Sequence, residues 1–307
     1  HEYGHVQANL WDEKIIERQN MDIPASVPNI TSSLVQIPWR VWIEPGTPVP
    51  IQFGTWPDNE TVSAFTKAHS LNGYSPQQNC VMRTRGYRKF CKVCTEALIK
   101  AWYRVVYPIQ NWSPQNLDVT LSGGEVQTFS VETIRPKTHN LIVRAAVDGV
   151  ELLVSGNSVT FSGTQLGNGA HKIVLTAIDT TSAVRNDPER LLTDQKIWTV
   201  TVSGAGQGGV LPYALAADFS GDGQVEFKDF FTFVDGFNKS KSEVGFNSRI
   251  NLNRDRRIDF EDFFLFAFSF GQRGVAPTGQ ELFSTFYRDG YESAAPPPDR
   301  SKKPAGD

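Results

Sequence analysis

The sequence contains no stretch of the roughly eighteen consecutive apolar residues that a membrane-spanning helix needs, and no charged-then-apolar leader stands at its start. Long runs of Lys or Arg are also missing. With 30 basic against 33 acidic residues the formal net charge is −3, so the electrostatic footprint of a nucleic-acid binder is absent. Neither a membrane span nor a nucleic-acid partner is expected. Cysteine is scarce at three in 307 residues, an odd number that leaves one thiol over if a disulfide forms. An initiator Met is lacking too. His1 therefore reads as the edge of a longer sequence, because a natural cut at that point would destroy the motif that begins there.

The length allows two or three domains, and composition divides the chain into zones. Residues 1–113 mix helical patterns with Pro-rich and Trp-rich turns, as in "IPWRVWIEPGTPVP", and hold all three Cys. From 114 to 203 short alternating runs are separated by turn signals such as Asp148-Gly149 and Gly167-Asn168-Gly169, a spacing that predicts an all-β sandwich. Residues 204–213 continue a Gly-rich stretch and read as a flexible linker. Thirteen of the twenty Phe lie between 219 and 270, so residues 214–274 are expected to form a small helical module with a concentrated aromatic core. The last stretch, 275–307, ends "AAPPPDRSKKPAGD" and has the composition of a disordered tail.

The chain opens "HEYGH". On a helix, residues four apart share a face, so His1 and His5 can offer two imidazole nitrogens to one zinc ion while Glu2 stands beside it as general base. A third ligand must return after a sharp turn. Asn9 tolerates the left-handed conformation that such a turn needs, and Asp12 is the expected ligand, with Glu13 as the fallback. The remaining metal-capable group is Cys80 with the Cys91/Cys94 pair in "FCKVC". It reads first as one structural disulfide with a spare thiol, and second as three thiolates sharing a metal with a fourth ligand. A redox role ranks last, since no thioredoxin-like pattern surrounds the pair.

The run "HEYGHVQANLWDE", then "NGYSPQQNCVMR", then "FCKVCTEAL", resembles the secreted, metzincin-like zinc metallopeptidases typified by the bacterial IgA peptidases. The segment from "VDGVELL" to "KIWTVTV" is similar to the β-sandwich that commonly follows that peptidase domain. The resemblance implies zinc on His1, His5 and Asp12, catalysis by Glu2, and Met82 of "CVMR" packed beneath the metal as a structural residue. It also implies that the opposite wall of the cleft lies upstream, so that this chain alone is expected to be inactive.

Residues 218–229, "DFSGDGQVEFKD", fit a twelve-residue calcium loop. Oxygen ligands are expected from Asp218, Ser220, Asp222 and Asp229, with the Gln224 carbonyl at position seven and Gly223 at the sharp turn. A second copy 33 residues later, "NLNRDRRIDFED", keeps Asn251, Asn253, Asp255 and Asp262. There Arg256 replaces the Gly, and Arg254 and Arg257 add positive charge, so this copy is expected to bind calcium weakly or not at all. The pair resembles dockerin modules, which implies a cohesin-like or cell-surface partner. In the sandwich, Trp198 is expected in the core, and the loop 184–190 is expected to carry an Arg185–Asp187 ion pair.

The expected whole is a multidomain protein: part of an α+β zincin subdomain, an immunoglobulin-like sandwich and a dockerin-like calcium module. Its expected function is secreted, zinc-dependent hydrolysis of protein or peptide substrates. The competing expectation is a non-catalytic extracellular calcium-binding scaffold or adhesion protein with a degenerate peptidase domain.

Overall fold

A computed structural model describes residues 1–57, 60–84, 86–207, 209–253 and 255–276. The expected tail lies, beyond residue 276, outside the described residues. The chain divides into two compact units, His1–Val106 with Thr181–Leu191, and Tyr107–Thr180 with Leu192–Asp307.

The first unit has little regular structure: helices α1 (Glu2–Ala8) and α2 (Lys92–Tyr103), a single 3-10 turn at Arg40–Trp42, and the two-residue strands β1 (Phe65–Thr66) and β2 (Tyr74–Ser75). Among the described residues no larger sheet is present in this unit, so the zincin sheet is not part of what the fold shows. Loops are tied instead by side chains. The Trp39 indole N–H donates to the Ser63 carbonyl at 2.7 Å, and that of Trp42 donates to the buried Glu96 carboxylate. The segment 181–191 belongs to this unit, and its expected internal ion pair is replaced. Arg185 pairs with Glu44 at 2.8 Å and lies over the Trp42 ring, while Asp187 accepts from the Leu191 N–H. An Arg drawn onto an indole face gains both stacking and a carboxylate, which a neighbour two residues away does not offer.

The second unit is the β-sandwich that the alternation predicts. Its strands are β3 (Ile109–Ser113), β4 (Asp118–Ser122), β5 (Val126–Thr133), β6 (Ile142–Val147), β7 (Val150–Leu153), β8 (Ser158–Ser162), β9 (Gly169–Ile178), β10 (Thr193–Ser203) and β11 (Ala214–Leu215), with a one-turn helix α3 (Gly163–Leu166). One sheet has the order β11-β7-β6-β9-β10-β4 and the other β3-β5-β8. Val143, Ala145 and Val147 of β6 and Ile173, Leu175 and Ala177 of β9 turn inward, as period-two alternation requires. The β6–β7 hairpin turns at Asp148-Gly149, both at positive φ, which suits the twist of the strands it joins.

The stretch read as a linker is held to this unit. Ala205 N–H donates to the Asn168 side chain, Leu211 N–H donates to the Arg273 carbonyl, and β11 then pairs with β7. Helices α4 (Phe227–Gly236) and α5 (Phe260–Ser269) follow, offset by 33 residues. They run antiparallel: Phe227 at the start of α4 meets Phe270 at the end of α5, and Phe237 meets Phe260. Phe233 and Phe266 stack in the core shared with the sandwich. The aromatic core is less concentrated than expected, because Phe227, Phe231, Phe260, Phe264 and Phe268 all face outward. Ten-residue helices bearing Phe on every side cannot bury more than one face.

Trp198 is fully buried, edge-on to Phe129, with its indole N–H on the Pro114 carbonyl at 2.9 Å. Trp198→Ala is expected to cost about 3–5 kcal/mol of unfolding free energy, read from urea denaturation by circular dichroism.

Candidate metal centres

Helix α1 ends where Asn9 takes φ 49 and ψ 37, and its N–H returns to the Gly4 carbonyl. This left-handed residue reverses the chain, as the sequence leads one to expect of Asn. The returning segment places Asp12 Oδ1 at 2.8 Å from His1 Nε2. His5 Nδ1 lies 2.5 Å from the Leu10 carbonyl, which assigns the ring proton to Nδ1 and leaves Nε2 as the lone-pair nitrogen. The His1 and His5 rings sit edge to face with centroids 4.8 Å apart. Glu2 is exposed, with Oε1 3.0 Å from His1 Nδ1, and ligand-capable atoms of His1, Glu2 and His5 all lie within 4.8 Å of one another. Two imidazoles and the Glu2 carboxylate thus lie together, with Asp12 reaching His1 alone; imidazole and carboxylate are donor types suited to zinc. A groove of roughly 520 Å³ lined by His5, Asn9, Trp39 and Lys100 runs beside it.

Sequence reasoning did not single out His69, whose Nδ1 lies 3.1 Å from the Asp12 carbonyl and whose ring packs on Trp11. It braces the returning segment from 57 positions away, a separation that carries no local pattern.

Glu13, the fallback ligand, turns the other way. Its carboxylate is fully buried, with Oε1 accepting from Asn29 at 3.1 Å and from the Cys94 thiol at 3.3 Å, while Oε2 is buried with no hydrogen-bond partner. The disulfide expected first does not form: Cys80, Cys91 and Cys94 are free and buried, with Cys80 Sγ 3.7 Å from Cys94 Sγ. Burial pushes the Glu13 carboxyl and the Cys91 and Cys94 thiols up from their ordinary ranges, whereas hydrogen bonds from those two thiols draw Cys80 down. This group of Glu13, Cys80, Cys91 and Cys94, with ligand atoms mutually within 4.8 Å, can hold a metal ion.

Met82 is fully buried beneath α1. A Cβ on Gly4 would meet Met82 Sδ at 2.8 Å and carbons of Leu10 and Phe90 at 3.0 Å, so a larger residue there would have to push these side chains aside. Gly4→Val is expected to lose about 1–3 kcal/mol and to loosen the His1/His5 pair, as measured by denaturant titration and by weaker zinc retention.

The two C-terminal loops share one hydrogen-bond plan. Asp218 accepts from the N–H groups of Gly221 and Gly223 at 2.7 Å each, and Asp229 reaches back to those of Ser220 and Glu226. In the second loop Asp262 reaches back to Asn253 and Asp259, the positions 33 residues on. Burial raises the Asp262 carboxyl to about 6. The first side-chain position differs: Asn251 Nδ2 donates to the Asp255 carbonyl, and its Oδ1 is buried without a partner. Asp222 and Asp255 instead accept from N–H groups two residues on, those of Gln224 and Arg257. Each loop is paired with the segment after the other helix, Val225 with Gly271 and Gln272, Ile258 with Asn238 and Lys239.

A scan of protein families finds none that matches this chain, and no curated protein matches it. Among solved structures, it is similar to two crystal structures of type II cohesin–X–dockerin complexes from Acetivibrio cellulolyticus. One, an N-terminal interface mutant, is 16% identical over 43% of this chain and 83% of that chain, with a TM-score of 0.20. The other, a C-terminal interface mutant, is 14% identical over 51% of this chain and 96% of that chain, also with a TM-score of 0.20. At that score the overlap carries no weight for the fold or the partners of this chain.

Proposed function

We propose that this chain is part of a secreted zinc endopeptidase similar to the bacterial IgA peptidases, carrying a calcium-binding, dockerin-like module for attachment. The observation that supports it most is the closeness of His1, Glu2 and His5, with Asp12 brought to His1 after the left-handed turn at Asn9. A zinc ion held by His1, His5 and Asp12 would lower the pKa of a water towards 7 and polarise the scissile carbonyl. Glu2 would take the water's proton on a carboxylate oxygen and hand it to the departing amine. The Leu10 carbonyl fixes the His5 tautomer, His69 braces the Asp12 backbone, and the groove beside His5 offers an extended peptide a place to lie.

Attachment is supported by the outward Phe residues of α4 and α5, an apolar surface that a cohesin-like partner would cover. Calcium on Asp218, Ser220, Asp222, Gln224 and Asp229 would tie the first loop. Asn251, Asn253, Asp255 and Asp262, beside Arg256 and Arg257, form the weaker site. Millimolar extracellular calcium suits loops of modest affinity and accords with secretion.

Zinc content after dialysis tests the catalytic reading: His5→Ala is expected to lose one zinc per chain. Glu2→Gln is expected to keep it while abolishing peptide hydrolysis by the gene product that carries this chain. Retention of zinc in equal amount by His5→Ala and the parent would instead favour the non-catalytic scaffold. In calcium titrations by calorimetry, Asp218→Ala is expected to weaken the stronger site by about tenfold or more, and Asn251→Ala to leave that site unchanged.

A further inference from the structure

The three cysteines and Glu13 are buried in a unit that has, among the described residues, few helices and one two-stranded pair, and nothing in the hydrolytic reading uses them. We propose that Cys80, Cys91, Cys94 and Glu13 together hold one structural zinc ion, separate from the ion on His1, His5 and Asp12.

The spacing fits. Two sulfurs on a tetrahedral zinc with bonds near 2.3 Å stand about 3.8 Å apart, and Cys80 and Cys94 stand 3.7 Å apart. Cys91 occupies the N-cap of α2 and Cys94 its first turn, where the helix dipole favours thiolates. Cys80 accepts the Cys91 backbone N–H at 3.4 Å, the kind of outer hydrogen bond that settles a sulfur ligand.

Glu13 supplies the independent sign of a ligand. A buried carboxylate oxygen without a donor costs on the order of a few hydrogen bonds' worth of desolvation, so native interiors avoid it. Glu13 Oε2 is such an atom in a fully buried side chain set against three sulfurs, and a cation satisfies it. Binding the ion needs the ligands deprotonated, and the ion offsets half of the charge they then carry. Three thiolates and a carboxylate around Zn²⁺ leave two negative charges, and buried Arg83 interacts electrostatically with both Glu13 and Cys80. The donor set has no open position, which marks a structural rather than a catalytic zinc.

Asp12 and Glu13 are adjacent, so this closed site would fix the segment that delivers Asp12 to the histidines. The experiment uses the full chain carrying His5→Ala, in which the hydrolytic site is removed. After dialysis it is expected to keep one zinc per chain and to show three titratable thiols once denatured with a chelator. Cobalt(II) reconstitution should give thiolate-to-metal charge-transfer absorption. Adding Cys94→Ser should abolish the retained zinc, and adding Glu13→Gln, a nearly isosteric change that removes a direct ligand, should weaken retention by at least the roughly 10–100-fold that loss of an outer hydrogen bond to a ligand costs. A metal-free His5→Ala chain, a Cys80–Cys94 disulfide with one remaining thiol, or cobalt absorption lacking the thiolate band would overturn the proposal. Since the hydrolytic site is absent from every variant compared, these outcomes leave the peptidase reading to its own test.

Discussion

The backbone hydrogen bond from Glu13 N–H to the Met82 carbonyl, 2.9 Å long, joins the two segments on which the first unit depends. On one side of that bond Met82 fills the space that Gly4 leaves open beneath α1. On the other, Asp12 and Glu13 turn their carboxylates in opposite directions, one to His1 and one to the cysteines. A unit with two short helices and a two-residue strand pair has few ladder bonds to fix its loops. Its order must come from side-chain bonds such as Trp39 to Ser63 and Asn29 to Trp11, and from the buried cysteine group.

The second unit is stabilised by different means. Its two sheets close over Trp198, Phe129 and Phe161, and the same core continues through Leu215 and Phe219 to Phe233 and Phe266 between the C-terminal helices. Burial of contiguous apolar area contributes most of the stability there. The loops before α4 and α5 are then fixed by carboxylates folded back on their own N–H groups, and each loop is paired with the segment that follows the opposite helix. The module therefore has an internal two-fold relation that its 33-residue repeat encodes.

What could be read from the sequence was local. The i, i+4 histidines, the Asn turn, the alternation of β6 and β9 and the twelve-residue loops all depend on local spacing, and the structure shows the left-handed turn at Asn9 and the alternating burial of β6 and β9 that this spacing implies. What could not be read was long-range. Glu13 lies 81 positions from Cys94, and His69 lies 57 from Asp12, so neither separation leaves a periodic trace. Glu13 reads only as the fallback to Asp12, because spacing alone does not say which way each of two adjacent carboxylates turns. The Phe residues of α4 and α5 misled for another reason: with Phe on several faces, composition alone cannot say which face is covered.

The most direct test of the two-centre account is an anomalous difference map at the zinc edge, from crystals of this chain grown with zinc. The account predicts one peak among His1, His5 and Asp12, and a second among Cys80, Cys91, Cys94 and Glu13. A single peak shared by Asp12 and Glu13, or electron density joining Cys80 to Cys94, would contradict it.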